Sequence, residues 1–185
     1  MPPRGDLPQS LIDAGLALLD EEGSEALTLR RIAARAGVSH AAPAHHLSGL
    51  PGLRIAIATK GFRSFRHELT GARDALLPHA DPFQRLLAVN LAYIQFARRR
   101  RALFLLMFDQ LPAQDDGLRR ASRASYMVIQ EGCTPFARDR PAAPFETAVW
   151  ALTHGFAALN MDQPYPSDTP VNLSSYEDAL RLLVG

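Results

Sequence analysis

Apolar residues recur along the chain at intervals of three and four, the spacing that lines one face of an α-helix, and no stretch alternates as a strand would. The tightest stripe is Leu29, Ile32, Ala33 and Ala36, with Arg30, Arg31 and Arg35 on the other faces. Thr28 stands where an N-cap hydroxyl would accept a first-turn N–H. Gly37 follows where a left-handed residue would close the helix. Val38 plugs the corner, and Ser39 or His40 caps a second short helix running to about Leu47. Upstream, Asp6, Pro8 and Gln9 open a helix with Leu11, Gly15, Leu18 and Leu19 on one stripe, and Gly23 ends it.

Downstream, Ser48-Gly49-Leu50-Pro51 opens a long helix that buries Leu53, Ile57, Gly61 or Phe62, Phe65, Leu69 and Leu76. His79 to Pro82 is a turn and a new N-cap. The helix after it runs to about Arg98 and buries Phe83, Leu86, Leu87, Leu91, Ile94 and Phe96. The segment ARRRRALFLLMFD continues that helix or starts another, stopping before Pro112. A further helix begins at Gln114-Asp115-Asp116 and reaches roughly Cys133. PFETAVWALTHGFAALNM is a strongly apolar helix ending before Pro164, and Ser174 or Ser175 caps a last short helix ending at Leu183. The pattern predicts an all-α protein of about nine helices. A helical head of residues 1–49 is followed by a larger helical domain of residues 50–185.

Two short helices joined by a tight glycine turn make a helix-turn-helix, whose second helix enters the DNA major groove. AGVSHAAPAHHL, with LIDAGLALLDEEG before it and LPGLRIAIA after it, resembles the N-terminal domain of the tetracycline-repressor (TetR) family. Ile32, Ala33, Ala36, Gly37, Val38, Ser39 and His46 match the family pattern. Ala44 stands where Tyr is usual, Leu47 where Phe is usual and Leu50 where Lys is usual. The resemblance implies a DNA face of Thr28, Arg30, Arg31, Ser39, His40, Ala41, Ala42, His45 and His46. Histidine bonds to phosphate or base edges and alanine meets thymine methyls; the alternative for this alanine-rich segment is internal packing. In the last third, Trp150, His154 and Gly155 resemble the Trp-His-Gly pattern of one TetR C-terminal subgroup, with FARRRRALFLLMF resembling the segment before it.

Charge qualifies this picture. The 185 residues carry a formal net charge of +1 and are 47% hydrophobic, so nothing global marks a nucleic-acid binder. Residues 1–50 carry four arginines against six acids; extension to residue 70 brings the sum to +1. The acids are expected on the first helix and its C-terminal loop, away from the arginines of the second. Arg98 to Arg101 is the densest positive run and reads as a solvated helix surface rather than a phosphate patch. Cys133 is the single cysteine, which excludes an internal disulfide and fits a reducing, cytoplasmic compartment. The N-terminal residues lack the apolar core of a signal peptide, and the run Ala102 to Phe108 is too short to span a bilayer.

The family implies a small-molecule inducer in the C-terminal helices. Tyr93, Phe96, Phe104, Met107, Phe108, Tyr126, Trp150 and His154 are the candidate lining, with Asn160 beside them, since such sites are apolar with a few fixed polar groups. His154 lies one turn from Trp150 and is the expected polar anchor. No nucleophile elbow, phosphate-cradling loop or metal-ligand spacing occurs; His40 and His45 are five apart and His45 and His46 adjacent, so neither pair shares a helix face. No catalytic residues, metal or cofactor are expected, and His154 with Asp162 makes a weak acid–base pair. The expectation is a homodimeric, ligand-responsive repressor on a near-palindromic double-stranded DNA operator, with no membrane partner. The dimer is expected to form through residues 144–161 and 174–183. The alternative is a TetR-like dimer with weakened DNA binding that acts as a small-molecule-binding or protein-interaction module, favoured by Ala44, Leu50 and the acidic head.

Overall fold

The computed structural model describes residues 7–39, 47–109, 115–137, 140–161 and 174–185. Those residues form eight α-helices and one 3₁₀ turn, with no strand among them. In chain order the helices are α1 (Leu7–Glu22), α2 (Leu29–Ala36), α3 (Gly49–Asp74), α4 (Pro82–Arg99), α5 (Arg101–Met107), α6 (Asp116–Ala137), α7 (Ala142–Leu159) and α8 (Ser174–Val184); the 3₁₀ turn is Ser24–Ala26. The proposed cap Asp6, the segment His40 to His46 and the prolines between 164 and 170 lie outside the described residues. No helix of the described residues is long and apolar enough to cross a membrane.

The chain divides into two compact units, one of residues 1–62 and 102–122, the other of residues 63–101 and 123–185. In the first, α1 and α2 bury the expected stripes: Leu11, Leu19, Ile32 and Ala33 are fully enclosed, as are Leu53 and Ile57 of α3. An eight-residue helix is too short to persist by itself, so its ends and its packing decide whether it forms. The Thr28 side chain accepts from the Arg31 N–H at 3.3 Å. At the other end Gly37 takes φ 67°, and its N–H reaches the carbonyls of Ala33 and Ala34. The Val38 N–H closes onto the Ala33 carbonyl at 3.0 Å. The turn that sequence spacing places here is therefore present.

Entry into α3 carries a tighter constraint. Ser48 and Gly49 both have positive φ, 54° and 74°, and bring the chain around into the helix. A Cβ on Gly52 would stand 1.9 Å from the Leu47 carbonyl oxygen, a backbone atom that cannot rotate away. Further along, Gly61 faces Met107 and Leu103 of α5, and Phe62 meets Phe108 edge-on with ring centroids 5.5 Å apart.

The second unit is built on α4 and α7, with α8 and parts of α3 and α6. Asp81 and Gln84 form a complete capping box, and Pro82 takes the tolerant first position of α4. The helix ends at Arg99 and α5 begins separately at Arg101, because Arg100 leaves helical geometry at φ −126°. The arginine run thus straddles a corner, with Arg99 paired to Glu68 and Arg100 over the Phe96 ring at 5.9 Å. Leu87 and Leu91, expected in the core, are half-buried. The helix expected to stop near Cys133 continues to Ala137 through Pro135, whose missing N–H falls near a C-terminus, where one lost bond is tolerated. Arg140 donates to the carbonyls of Leu183 and Val184 and so caps α8.

Gly52→Ala should destabilise the N-terminal unit by about 1–3 kcal/mol, the usual cost of forcing atoms into a filled site. Chemical denaturation of the variant tests this, and an unchanged midpoint would show that Leu47 yields freely.

Candidate functional site

Two regions carry the candidate residues. In the head, Thr28, Arg30, Arg31 and Ser39 are all exposed. The arginines, expected apart from the acids, are not separated from them. Arg31 donates to both carboxylate oxygens of Glu22 at 2.5 and 2.6 Å, and Arg35 grips Glu21 with two bonds of 2.8 and 2.5 Å. The physical reason is helix packing: α1 and α2 lie side by side, so the last turn of α1 reaches the far face of α2. The hydrogen bond from Arg31 holds the Glu22 carboxyl below its ordinary range, although the pair is exposed and adds little stability. Lys60 likewise pairs with Asp13. Arg30 has no ion pair among the described residues. His40, Ala41, Ala42, His45 and His46 lie outside the described residues.

In the second unit, α4 and α7 bring Tyr93, Trp150 and His154 together. Tyr93 is 1% exposed. Its hydroxyl lies 2.8 Å from His154 Nδ1 and 3.4 Å from Trp150 Nε1. An indole N–H only donates, so the Tyr93 hydroxyl accepts from Trp150 and donates its O–H to His154 Nδ1. This leaves the imidazole proton on Nε2. Burial lowers the His154 pKa and raises that of Tyr93, so both groups are neutral at pH 7. Tyr126 of α6 meets the Trp150 ring edge-on at 5.7 Å. Phe96 joins the cluster through Phe65, whose ring lies 4.9 Å from Phe96 and 4.8 Å from Tyr93. Phe104, Met107 and Phe108 instead belong to the first unit, where Phe104 and Phe108 stack at 4.7 Å. Asn160 is fully buried in the second unit and its Nδ2 bonds to the Phe156 carbonyl at 2.9 Å, which makes it a helix-end residue.

Three residues of the second unit carry polar chemistry that residue spacing does not single out. Glu146 is 8% exposed on α7 and accepts from Gln130 Nε2 at 2.9 Å. Asn90 of α4 is fully buried, and neither atom of its amide has a hydrogen-bond partner. Thr153 bridges to the Tyr176 hydroxyl at 2.8 Å and ties α7 to α8. In a helical reading these were interior positions with the wrong polarity, and that mismatch was the available signal.

Residues 11–46 match the model of the tetR family of bacterial regulatory proteins, and residues 86–183 match the tetracyclin repressor-like C-terminal domain. The chain belongs to the TetR family. The matching C-terminal model does not specify the Trp-His-Gly subgroup. A curated relative, the HTH-type transcriptional regulator BetI of Brucella canis, is 31% identical over 109 residues, covering 58% of this chain and 54% of its own. The chain thus spans about half the length of the curated relatives it matches. Among solved structures, a protein of unknown function from Rhodococcus sp. RHA1 is 27% identical with a TM-score of 0.79, covering 100% of this chain and 97% of that one. The multidrug binding protein EbrR complexed with imidazole shares the fold at 21% identity and a TM-score of 0.66, covering 100% and 97%.

A pH dependence follows from His154. Its folded-state pKa lies below the ordinary value of about 6.5, so the stability from keeping it neutral is complete above that value. It is lost as pH falls from there toward the lowered pKa, where the unfolded chain is already protonated. His154→Gln should flatten that part of the stability–pH curve, measured by denaturation between about pH 7 and 5; an identical slope in wild type and variant would contradict the buried neutral imidazole.

Proposed function

We propose that this TetR-family protein is a ligand-responsive transcriptional repressor of the cytoplasm that binds a near-palindromic operator as a homodimer. The observation that carries the reading is the capped, glycine-terminated α2 of a helix-turn-helix head, joined to a larger helical domain with a polar cluster in its interior. The DNA face consists of Thr28, Arg30, Arg31 and Ser39 with His40, Ala41, Ala42, His45 and His46 of the following segment. A two-fold dimer presents two such faces about one DNA turn apart, ~34–36 Å, which is why the operator is near-palindromic.

Support for the dimer comes from the outward side of α7. Pro144, Thr147, Ala151 and Ala158 are exposed at helical spacing, Leu159 is 47% exposed, and the helix's single charged residue, Glu146, points inward. On α8, Leu182 is 87% exposed. A helix side without charge in contact with water is expected where a second copy covers it. The effector enters among Tyr93, Phe96, Tyr126, Trp150 and His154, as the description of EbrR as multidrug binding suggests for a protein of this fold. It releases DNA by preferring the head spacing that DNA does not.

The reading with weakened DNA binding keeps one specific observation in its favour: Glu22 and Glu21 occupy Arg31 and Arg35. Fluorescence anisotropy with DNA from upstream of the gene separates the two. His45→Ala with His46→Ala should weaken binding about tenfold or more while light scattering still shows a dimer. Equal affinity in the double variant would remove the assigned DNA face. Glu21→Gln with Glu22→Gln should steepen the log–log salt slope by up to about 2, whereas an unaltered slope would show that the freed arginines do not reach phosphate.

A further inference from the structure

We propose that Glu146 is the charge-recognition group of the effector site and that the effector is an organic cation. The proposal rests on the ligand-responsive reading above and names the ligand class for it. Glu146 is more than nine-tenths buried, and among the described residues no lysine, arginine or histidine pairs with it. Arg140, just ahead of α7, is committed to the last carbonyls of α8. The Gln130 amide, 2.9 Å away, is the hydrogen-bond donor that holds the carboxylate.

A buried carboxylate without a counter-charge is costly. The Gln130 amide gives it partial relief, and its place past the first turn of α7 leaves it outside the reach of the helix dipole. The surroundings register it: Tyr126 and Cys133 are both raised, chiefly by burial and then by the charge of Glu146, with the Cys133 thiol pushed up to about 12. Tyr126, Gln130 and Cys133 lie at i, i+4 and i+7 of α6, so one face of that helix meets Glu146.

What stands beside the carboxylate suits a cation with an apolar body. Trp150 is one turn along α7 from Glu146, on the same side, and Tyr126 meets its ring edge-on at 5.7 Å. Aromatic faces next to a carboxylate stabilise an ammonium by cation–π attraction in addition to ion pairing. Among the described residues an anion finds no counter-charge in this cluster, since burial keeps His154 and Tyr93 neutral. Asn90 supplies an independent sign that α4 and α7 enclose a ligand-directed interior: its amide is fully buried with both polar atoms unpartnered, one turn before Tyr93 on the same side of α4.

The test compares two molecules of one shape, 3-hydroxyphenyltrimethylammonium and its neutral isostere 3-tert-butylphenol, titrated into the full chain by calorimetry. Wild type should bind the cation about tenfold or more tightly than the neutral molecule. Glu146→Gln should abolish that preference, bringing the two affinities within about twofold of each other. Equal affinities in wild type, no binding of the cation at millimolar concentration, or a preference that survives in Glu146→Gln would each overturn the assignment. The wild-type comparison needs no variant, so the lack of a cation preference overturns the assignment even where Glu146→Gln fails to fold. Anisotropy with upstream DNA, run on the same wild-type protein without either compound, keeps the two readings apart: DNA binding without cation preference refutes this assignment alone, and cation preference without DNA binding refutes the repressor reading.

Discussion

An eight-residue helix has to be held from outside, and the head of this protein is arranged around that constraint. α2 has Thr28 at one end and a left-handed Gly37 at the other, and between them Ile32 and Ala33 are buried completely. Gly15 of α1 makes the enclosure close: a Cβ there would lie 2.6 Å from the tip of Ile57 and 3.8 Å from that of Ile32. The same packing brings α1's terminal acids onto Arg31 and Arg35, so the geometry that steadies α2 also cancels part of its positive charge. The pairs themselves are exposed and add little stability, and the head keeps Arg30 as the arginine of α2 without an ion pair among the described residues.

The second unit solves a different problem. Its interior is apolar for most of its extent, with Leu86, Val89, Ile94, Ile129, Val149 and Leu180 almost wholly enclosed. Into that interior α4 and α7 insert Asn90, Tyr93, Glu146, Thr153 and His154, groups that cost free energy unless each finds a partner. Several do: Tyr93 serves both Trp150 and His154, and Thr153 serves Tyr176. Asn90 does not, and Glu146 has an amide where a cation would balance it. Polar groups left in that condition inside a well-packed domain point to recognition rather than to folding.

Much of this was legible in the residues because it rests on short-range rules. The caps of α2 and α4, the glycine turn, and the pairing of Trp150 with His154 on one side of α7 all follow from spacings of three and four. The arginine corner at Arg100 was an open choice, since helical periodicity runs on through it while the backbone does not. The ion pairs between α1 and α2 were missed because they join residues 9 and 14 apart, a relation set by helix packing and invisible to spacing within either helix. Phe104 and Phe108 fall in the first unit, Phe104 enclosed and Phe108 half-buried, since periodicity reports that a side chain faces inward and not against what. At Glu146 the local pattern shows only an acid at an interior position; that Gln130 of α6 stands opposite it is set by helix packing.

Whether the head meets duplex DNA in duplicate is read by hydroxyl-radical footprinting of the wild-type protein on DNA upstream of its gene. Protected backbone patches related by a dyad are expected, their centres about one helical turn or a whole multiple apart. A single unbroken patch without symmetry, or cleavage indistinguishable from free DNA at low salt, would contradict it.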